Sequence, residues 1–161
     1  MNLKLLLINV AIFSVVALSC NSNSGNTESA KTANDSSVVK TISIKEESVT
    51  YSIDGKNYKG YVTYDSSQTG KRPAVLVVHE WWGLTNYPRS RAKQLAELGY
   101  IAMAVDMYGN GDTAADPKQA QEMATPYYKD PSLAKKRLDA AIKVLDGYSQ
   151  TDTSKMAAIG S

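Results

Sequence analysis

Residues 73–83 read PAVLVVHEWWG, and this stretch decides the fold. Its first six residues, Pro73 to Val78, form a short and unbroken apolar run. Such a run is typical of a strand that is buried on both faces, as in a parallel sheet. His79 and Glu80 follow at the carboxyl end of that strand, which is the edge where open α/β sheets bind their ligands.

Downstream of this strand, helical and extended patterns alternate along the chain. Alternation of this kind predicts a mostly parallel sheet that is covered by helices on both faces. The predicted elements are, in order, a helix over Tyr87–Leu98, a strand over Tyr100–Val105, a short helix over Lys118–Thr125, a helix over Leu133–Leu145 and a third buried strand over Lys155–Ile159.

Upstream, residues 41–65 carry strand-forming side chains on both sides of Asp54-Gly55, a pair that favours a tight hairpin turn. Residues 41–161 are therefore predicted to form one α/β domain with about five strands. A buried strand that is not followed by a helix is an unusual end for such a domain. We therefore expect the sequence to be the N-terminal part of a longer, truncated domain.

Residues 1–20 have the pattern of an export signal. Lys4 precedes an apolar run from Leu5 to Val16, which is shorter than the roughly 20 residues that a spanning helix needs. Ala17-Leu18-Ser19-Cys20 resembles the lipobox of bacterial lipoproteins, so we expect Cys20 to carry lipid. Residues 21–40 are polar and rich in serine, which predicts a disordered tether.

The composition excludes several classes of protein. Apolar residues make up 43% and charged residues 21%, as in ordinary globular proteins. The net charge of +2, without blocks of like charge, gives no sign of a nucleic-acid surface. One cysteine and one histidine exclude a disulfide framework and a zinc site built from clustered His and Cys.

Glu80 is the strongest candidate for chemistry. The indoles of Trp81 and Trp82 flank it and would leave the carboxylate partly desolvated, which is typical of a functional group. The alternative is a salt bridge from Glu80 to Arg89 or Arg91, with the tryptophans packed beside it. The residues alone do not distinguish these two interpretations.

Two glycine motifs are further candidates for function. Ile159-Gly160-Ser161 fits the first places of the G-x-nucleophile-x-G turn of hydrolases, with the nucleophile next in sequence. Residues 109–114 match a dinucleotide-binding pattern, which would indicate a reductase. Asp106 and Asp112 would repel a pyrophosphate, and Pro117 shows that no helix starts at the glycines. We therefore interpret these glycines as turn residues.

Together, these segments resemble the dienelactone hydrolase family of the α/β-hydrolases. The resemblance runs from about Tyr51 to Ser161. Four segments carry it: residues 73–84 (PAVLVVHEWWGL), 98–100 (LGY), 104–109 (AVDMYG) and 158–160 (AIG). The His-Glu-x-x-Gly element after the first buried strand is its most specific part.

The resemblance implies a Cys-Asp-His triad that lies entirely beyond residue 161. It also implies that Glu80 helps to activate the thiol and that the backbone N–H of Trp81 forms half of the oxyanion hole. His79 is not expected to be the general base, because the catalytic histidine of this fold follows the nucleophile. We assign His79, Trp82 and Tyr108 to the substrate pocket, and no cofactor or metal is implied.

Two hypotheses for function follow. The first is an exported, lipid-anchored hydrolase that cleaves a small ester or lactone through a thiol acyl-enzyme. The second is a non-catalytic, membrane-anchored binding lipoprotein on the same fold. The residue after Ser161 distinguishes them, because a cysteine or serine there supports the enzyme. The specific substrate stays open, since residues 109–125 lack the arginines with which some members hold a carboxylated lactone. Residues 1–161 alone are expected to be inactive.

Overall fold

The computed structural model of this chain describes residues 41–161. The predicted signal peptide, the predicted tether and Cys20 lie outside that range. The described elements are β1 (Ile44–Ile53), β2 (Lys56–Asp65), β3 (Arg72–Val78), α1 (Asn86–Glu97), β4 (Ile101–Val105), α2 (Pro117–Lys129), α3 (Pro131–Asp146) and β5 (Thr151–Gly160). Over the same residues, no helix is long and apolar enough to cross a membrane.

The predicted hairpin is confirmed. β1 and β2 pair antiparallel over their whole length, and Ile53 lies opposite Lys56. The two turn residues have positive φ angles, 51° at Asp54 and 78° at Gly55. A turn of this kind matches the right-handed twist of the strands, and Asp-Gly is among the few pairs that accommodate it.

The strands form one sheet in the order β1-β2-β4-β3-β5. β3 is parallel to both β4 and β5, whereas β2 is antiparallel to β1 and to β4. The predicted α/β-hydrolase-type sheet with flanking helices is confirmed. The sheet is mixed because the hairpin adds antiparallel strands on one side of the parallel part.

The core lies on both faces of the sheet, as β4 illustrates. All five residues of β4 are fully buried, and successive side chains point to opposite faces. Met103 packs in a cluster with Leu145 of α3, whereas Ala102 packs in a separate cluster with Ala92 of α1. Helices therefore cover the two faces, and they fix the carboxyl ends of β3 and β4 in place.

β5 differs from the prediction of a third buried strand. It has a neighbouring strand, β3, on one side only, and Lys155, Ala157 and Ala158 are exposed. The apolar run does form a strand, and within residues 41–161 it lies at the edge of the sheet, as we expect of an apolar strand without its covering helix.

Helix α2 is longer than predicted. The Asp116 side chain accepts a hydrogen bond from the Gln119 N–H (2.9 Å) and Pro117 opens the helix, a favourable start. The predicted end at Thr125 was wrong, because the helix continues through Pro126 to Lys129. The hydroxyl of Tyr127 donates to the carbonyl of Met107, and this tertiary contact supports the turn that the proline weakens.

Candidate active site

Three chain segments meet at the carboxyl edge of the parallel strands. Val78 of β3 lies beside Val105 of β4 on one side and beside Gly160 of β5 on the other. Because these strands run parallel, the residues that follow each strand emerge together at one edge. His79-Glu80, Asp106 and Ser161 are therefore neighbours, although they are far apart in sequence.

The end of β5 is fixed against the end of β3. The Ser161 N–H donates to the Val78 carbonyl (2.9 Å), and the Ser161 hydroxyl donates to the same oxygen (3.0 Å). A cavity of about 130 Å³ lies between Ser161 and the segment 80–88 that follows β3, with Glu80 and Trp82 in its lining. The C-terminal end of β5 is thus held next to Glu80.

Residues 80–83 form a tight turn after β3. The Gly83 N–H donates to the Glu80 carbonyl (3.2 Å), and the Ala114 N–H donates to the Trp82 carbonyl (3.0 Å). No group among residues 41–161 accepts a hydrogen bond from the Trp81 N–H. An oriented backbone N–H without a partner is what an oxyanion hole requires.

His79 uses both of its ring nitrogens inside the protein and is only 8% exposed. Nε2 accepts a hydrogen bond from the Met107 N–H (3.2 Å), so the neutral ring carries its proton on Nδ1. Nδ1 in turn lies 2.5 Å from the Glu80 carbonyl, to which it donates. Burial lowers the pKa of His79 below its usual 6.5, which favours this neutral form.

Glu80 is exposed, so the expected partial desolvation was wrong for the described residues. The indoles of Trp81 and Trp82 contact each other edge to face, with ring centroids 5.3 Å apart. The alternative of a salt bridge was wrong as well. The Arg89 guanidinium lies over the ring of Tyr61, and Arg91 binds the side chain of Gln94.

Asp106 organises the loop after β4, a role that the sequence did not reveal. Its buried carboxylate accepts backbone N–H bonds from Lys59 (2.9 Å), Tyr108 (3.1 Å), Gly109 (2.7 Å) and Gly111 (2.8 Å). The glycines of the dinucleotide-like pattern thus bind a carboxylate of the protein itself. α2 begins only at Pro117, so these glycines do not open a helix.

A larger cavity of about 280 Å³ lies on the other side of Glu80. His79 and Tyr108, both assigned to the pocket from the sequence, line it, whereas Trp82 lines the smaller cavity. Tyr127 and Tyr128 of α2 also line the larger cavity. From the sequence, these two tyrosines could either line a substrate mouth or cover the sheet, and the structure places both at the cavity.

The hydroxyls of Tyr108 and Tyr127, at the larger cavity, are hydrogen-bond donors at neutral pH. Burial raises the pKa of Tyr108 to about 12 and raises that of Tyr127 as well. The Tyr108 hydroxyl donates to the Trp81 carbonyl (3.0 Å). Among residues 41–161, no cluster of three His, Cys, Asp or Glu side chains could hold a metal ion.

Comparison with known proteins agrees with this geometry. The sequence model of the "Dienelactone hydrolase family" matches residues 58–161. A "Putative carboxymethylenebutenolidase" of Aquifex aeolicus (strain VF5) is 33% identical over 100 residues, which cover 60% of this chain and 38% of that protein.

Solved structures give the same result. The dienelactone hydrolase-like promiscuous phosphotriesterase P91 from metagenomic libraries is 32% identical, with a TM-score of 0.69 over 73% of this chain and 48% of that one. The "Putative Dienelactone Hydrolase" of Klebsiella pneumoniae, 21% identical with a TM-score of 0.63 over 73% of this chain and 50% of that one, shares the fold. The chain thus spans half or less of the length of each of these proteins.

Proposed function

This chain belongs to the dienelactone hydrolase family, and from that membership we propose that the complete protein hydrolyses carboxylic esters or lactones. One observation carries the proposal. Glu80, the unpartnered N–H of Trp81 and the C-terminal end of β5 lie together at one edge of the sheet. A nucleophile that followed Ser161 would emerge between a proton acceptor and an oxyanion donor.

The proposed nucleophile is a cysteine in the position after Ser161, within the turn pattern that Gly160 begins. Its thiol proton passes to Glu80 as the sulfur attacks the carbonyl carbon of the substrate. A carbon–sulfur bond forms and the alcohol leaves with one proton, so thiol and ester become thioester and alcohol. Water then cleaves the thioester, which releases the acid and restores the thiol.

The Trp81 N–H stabilises the negative charge that develops on the carbonyl oxygen during each of these steps. A backbone N–H is suited to this role because the turn at 80–83 fixes it before the substrate arrives. Removal of one such donor typically costs about 10²–10³ in kcat. The second donor would be the N–H of the residue after the nucleophile.

The larger cavity suggests the class of substrate. Trp81, Tyr108, Tyr127 and Tyr128 give it aromatic walls, and Glu80 lies at its rim. A cavity of about 280 Å³ with such walls suits a small ester or lactone with an apolar or aromatic group.

Export and membrane attachment form a second part of the proposal. Residues 1–20 would direct export, and the lipid on Cys20 would hold the domain at the periplasmic side of a membrane or at the cell surface. The residues that support this lie outside the described part of the chain, so it rests on the signal pattern alone.

The proposed activity is tested on the complete protein with p-nitrophenyl acetate, p-nitrophenyl butyrate and a small lactone. We expect saturable hydrolysis of at least one of them and loss of that activity after alkylation by iodoacetamide. Saturable binding without hydrolysis would contradict the proposal and favour the non-catalytic binding lipoprotein. Hydrolysis that resists iodoacetamide would contradict the thiol mechanism only.

A further inference from the structure

His79 is buried beside the candidate site but has no free nitrogen for proton transfer. We infer that His79 is a positioning residue: its Nδ1–H fixes the Glu80–Trp81 peptide so that the Trp81 N–H points at the substrate oxygen. This inference rests on the proposed function, because the direction of that N–H matters only if a carbonyl oxygen is bound there.

The first step concerns the planar peptide between Glu80 and Trp81. In a trans peptide the C=O and the N–H point in opposite directions, and no cis peptide is present in the described residues. Whatever holds the Glu80 carbonyl therefore sets the direction of the Trp81 N–H. Two donors hold that carbonyl, namely Nδ1 of His79 (2.5 Å) and the Gly83 N–H (3.2 Å).

The second step concerns what holds His79 itself. The Met107 N–H donates to Nε2 (3.2 Å), and the ring packs edge to face on Tyr108 with centroids 4.7 Å apart. Both partners belong to the loop after β4, which the carboxylate of Asp106 organises. The imidazole thus connects the turn after β3 to an independently fixed loop.

The third step concerns the next peptide, between Trp81 and Trp82. The Tyr108 hydroxyl donates to the Trp81 carbonyl (3.0 Å), so this peptide is held from the same loop. His79 and Tyr108 together prevent rotation of the peptides on either side of Trp81. A donor that is fixed before the reaction stabilises an oxyanion better than one that must reorient.

The experiment compares His79→Phe and His79→Gln in the complete protein. Phenylalanine keeps a ring against Tyr108 but lacks both hydrogen bonds. Glutamine retains one donor and one acceptor and does not titrate. Thr151→Val is the matched control for lost stability, because it removes a buried hydrogen bond to the Leu145 carbonyl (2.6 Å) at the other end of the sheet.

We expect His79→Phe to lower kcat by about 10- to 10²-fold, somewhat less than removal of an oxyanion donor outright. KM should stay within about twofold, because ground-state contacts are retained. His79→Gln should recover most of kcat, and Thr151→Val should leave kcat unchanged. In ¹⁵N NMR spectra, the imidazole signal that disappears in His79→Gln should report the Nδ1–H tautomer.

Two results would overturn the inference while the proposed function stands. The first is that wild type is active and the folded His79→Phe variant has the same kcat. The second is that the His79 imidazole carries its proton on Nε2. A wild type that hydrolyses no ester would instead overturn the proposed function, and the inference with it. If kcat falls in the Thr151→Val control as well as in both His79 variants, the cause is a general loss of stability, and the positioning role is overturned.

Discussion

Glu80 has an exposed side chain and, within residues 41–161, no salt bridge. Its substitution therefore removes little that stabilises the fold. The position nevertheless places a carboxylate between the two cavities and next to Ser161. We propose that a carboxylate at this meeting point of three strand ends serves the chemistry of the complete protein.

Glu80→Gln in the complete protein tests that explanation. We expect kcat to fall by about 10²-fold or more, because glutamine cannot accept the thiol proton. Stability should change by less than about 0.5 kcal/mol, as for an ordinary surface substitution. Glu97→Gln, at an exposed glutamate at the end of α1, is the matched control and should leave kcat unchanged. Equal kcat in both variants, measured with p-nitrophenyl acetate, would contradict a catalytic role.

Gly83 is required by the turn for two separate reasons. Its φ angle is +89°, and a Cβ atom would clash with the carbonyl oxygen of Asp112. Gly70 has nearly the same φ angle, +88°, but open space around it. The pair therefore separates backbone strain from steric conflict.

We expect Gly70→Ala to cost about 1–3 kcal/mol of unfolding free energy through strain alone. Gly83→Ala should cost more, because the Asp112 backbone must also move, and it should lower kcat by displacing the Trp81 N–H. Urea denaturation and steady-state kinetics measure the two effects. Equal losses of unfolding free energy in the two variants would contradict the prediction, because they would show that the clash with Asp112 does not destabilise the fold.

At the scale of elements, the imidazole of His79 connects the carboxyl ends of β3 and β4. Burial lowers its pKa below 6.5, while the nearby Asp106 carboxylate opposes that effect. The unfolded chain therefore binds this proton more readily than the folded protein does. The contribution of His79 to the free energy of unfolding should be constant above pH 7. It should fall as the pH drops below the unfolded pKa of about 6.5 and should level off below the pKa of His79 in the folded protein.

His79→Gln should abolish the decline that begins below about pH 6.5, because glutamine does not titrate. Acidic side chains change the stability only at lower pH. Asp65 is an example, because hydrogen bonds from Ser67 and from the Ser43 N–H lower its pKa. Their stabilisation is present above the unfolded pKa of 3.8 and is lost as the pH falls further. Identical pH profiles of unfolding for wild type and His79→Gln would contradict the buried neutral imidazole.

The elements that were predictable from sequence are those with a strong local pattern. The Asp54-Gly55 turn and the apolar runs of β3 and β4 are determined by nearby residues. The end of α2 and the position of β5 beside β3 were not predictable. Pro126 predicts the end of a helix, but the contact of Tyr127 with Met107 supports the helix beyond it. The place of β5 in the sheet depends on strands that are distant in sequence.

The same distinction holds for the candidate site. The sequence pointed to the segment His79–Gly83 because a buried strand ends there. It did not reveal that Asp106 binds four backbone amides, and it left open whether Tyr127 and Tyr128 line a substrate mouth or cover the sheet. Those contacts join residues from separate elements, and no periodicity within one element encodes them.

At the scale of the whole molecule, the chain covers 38% of its Aquifex relative and 48% of the structure of P91. The triad and the second oxyanion donor are therefore proposals about the complete protein. So is the membrane attachment, which depends on Cys20.

Cys20→Ala tests attachment directly. We expect the variant to incorporate no labelled fatty acid and to retain its signal peptide, because the thiol is the acyl acceptor. Ser19→Ala is a matched control, since a small residue remains before the cysteine and labelling should persist. Fatty-acid labelling of the Cys20→Ala variant in cells would contradict the lipoprotein assignment.

We propose that the strand ends around Glu80 and Trp81 position a nucleophile directly after β5. Rapid-quench mass spectrometry of the complete protein with p-nitrophenyl acetate tests it most directly. We expect a burst of nitrophenol and one acetyl group, bound as a thioester, on the residue that follows Ser161. An acetyl group on another residue, or no covalent intermediate during turnover, would contradict it.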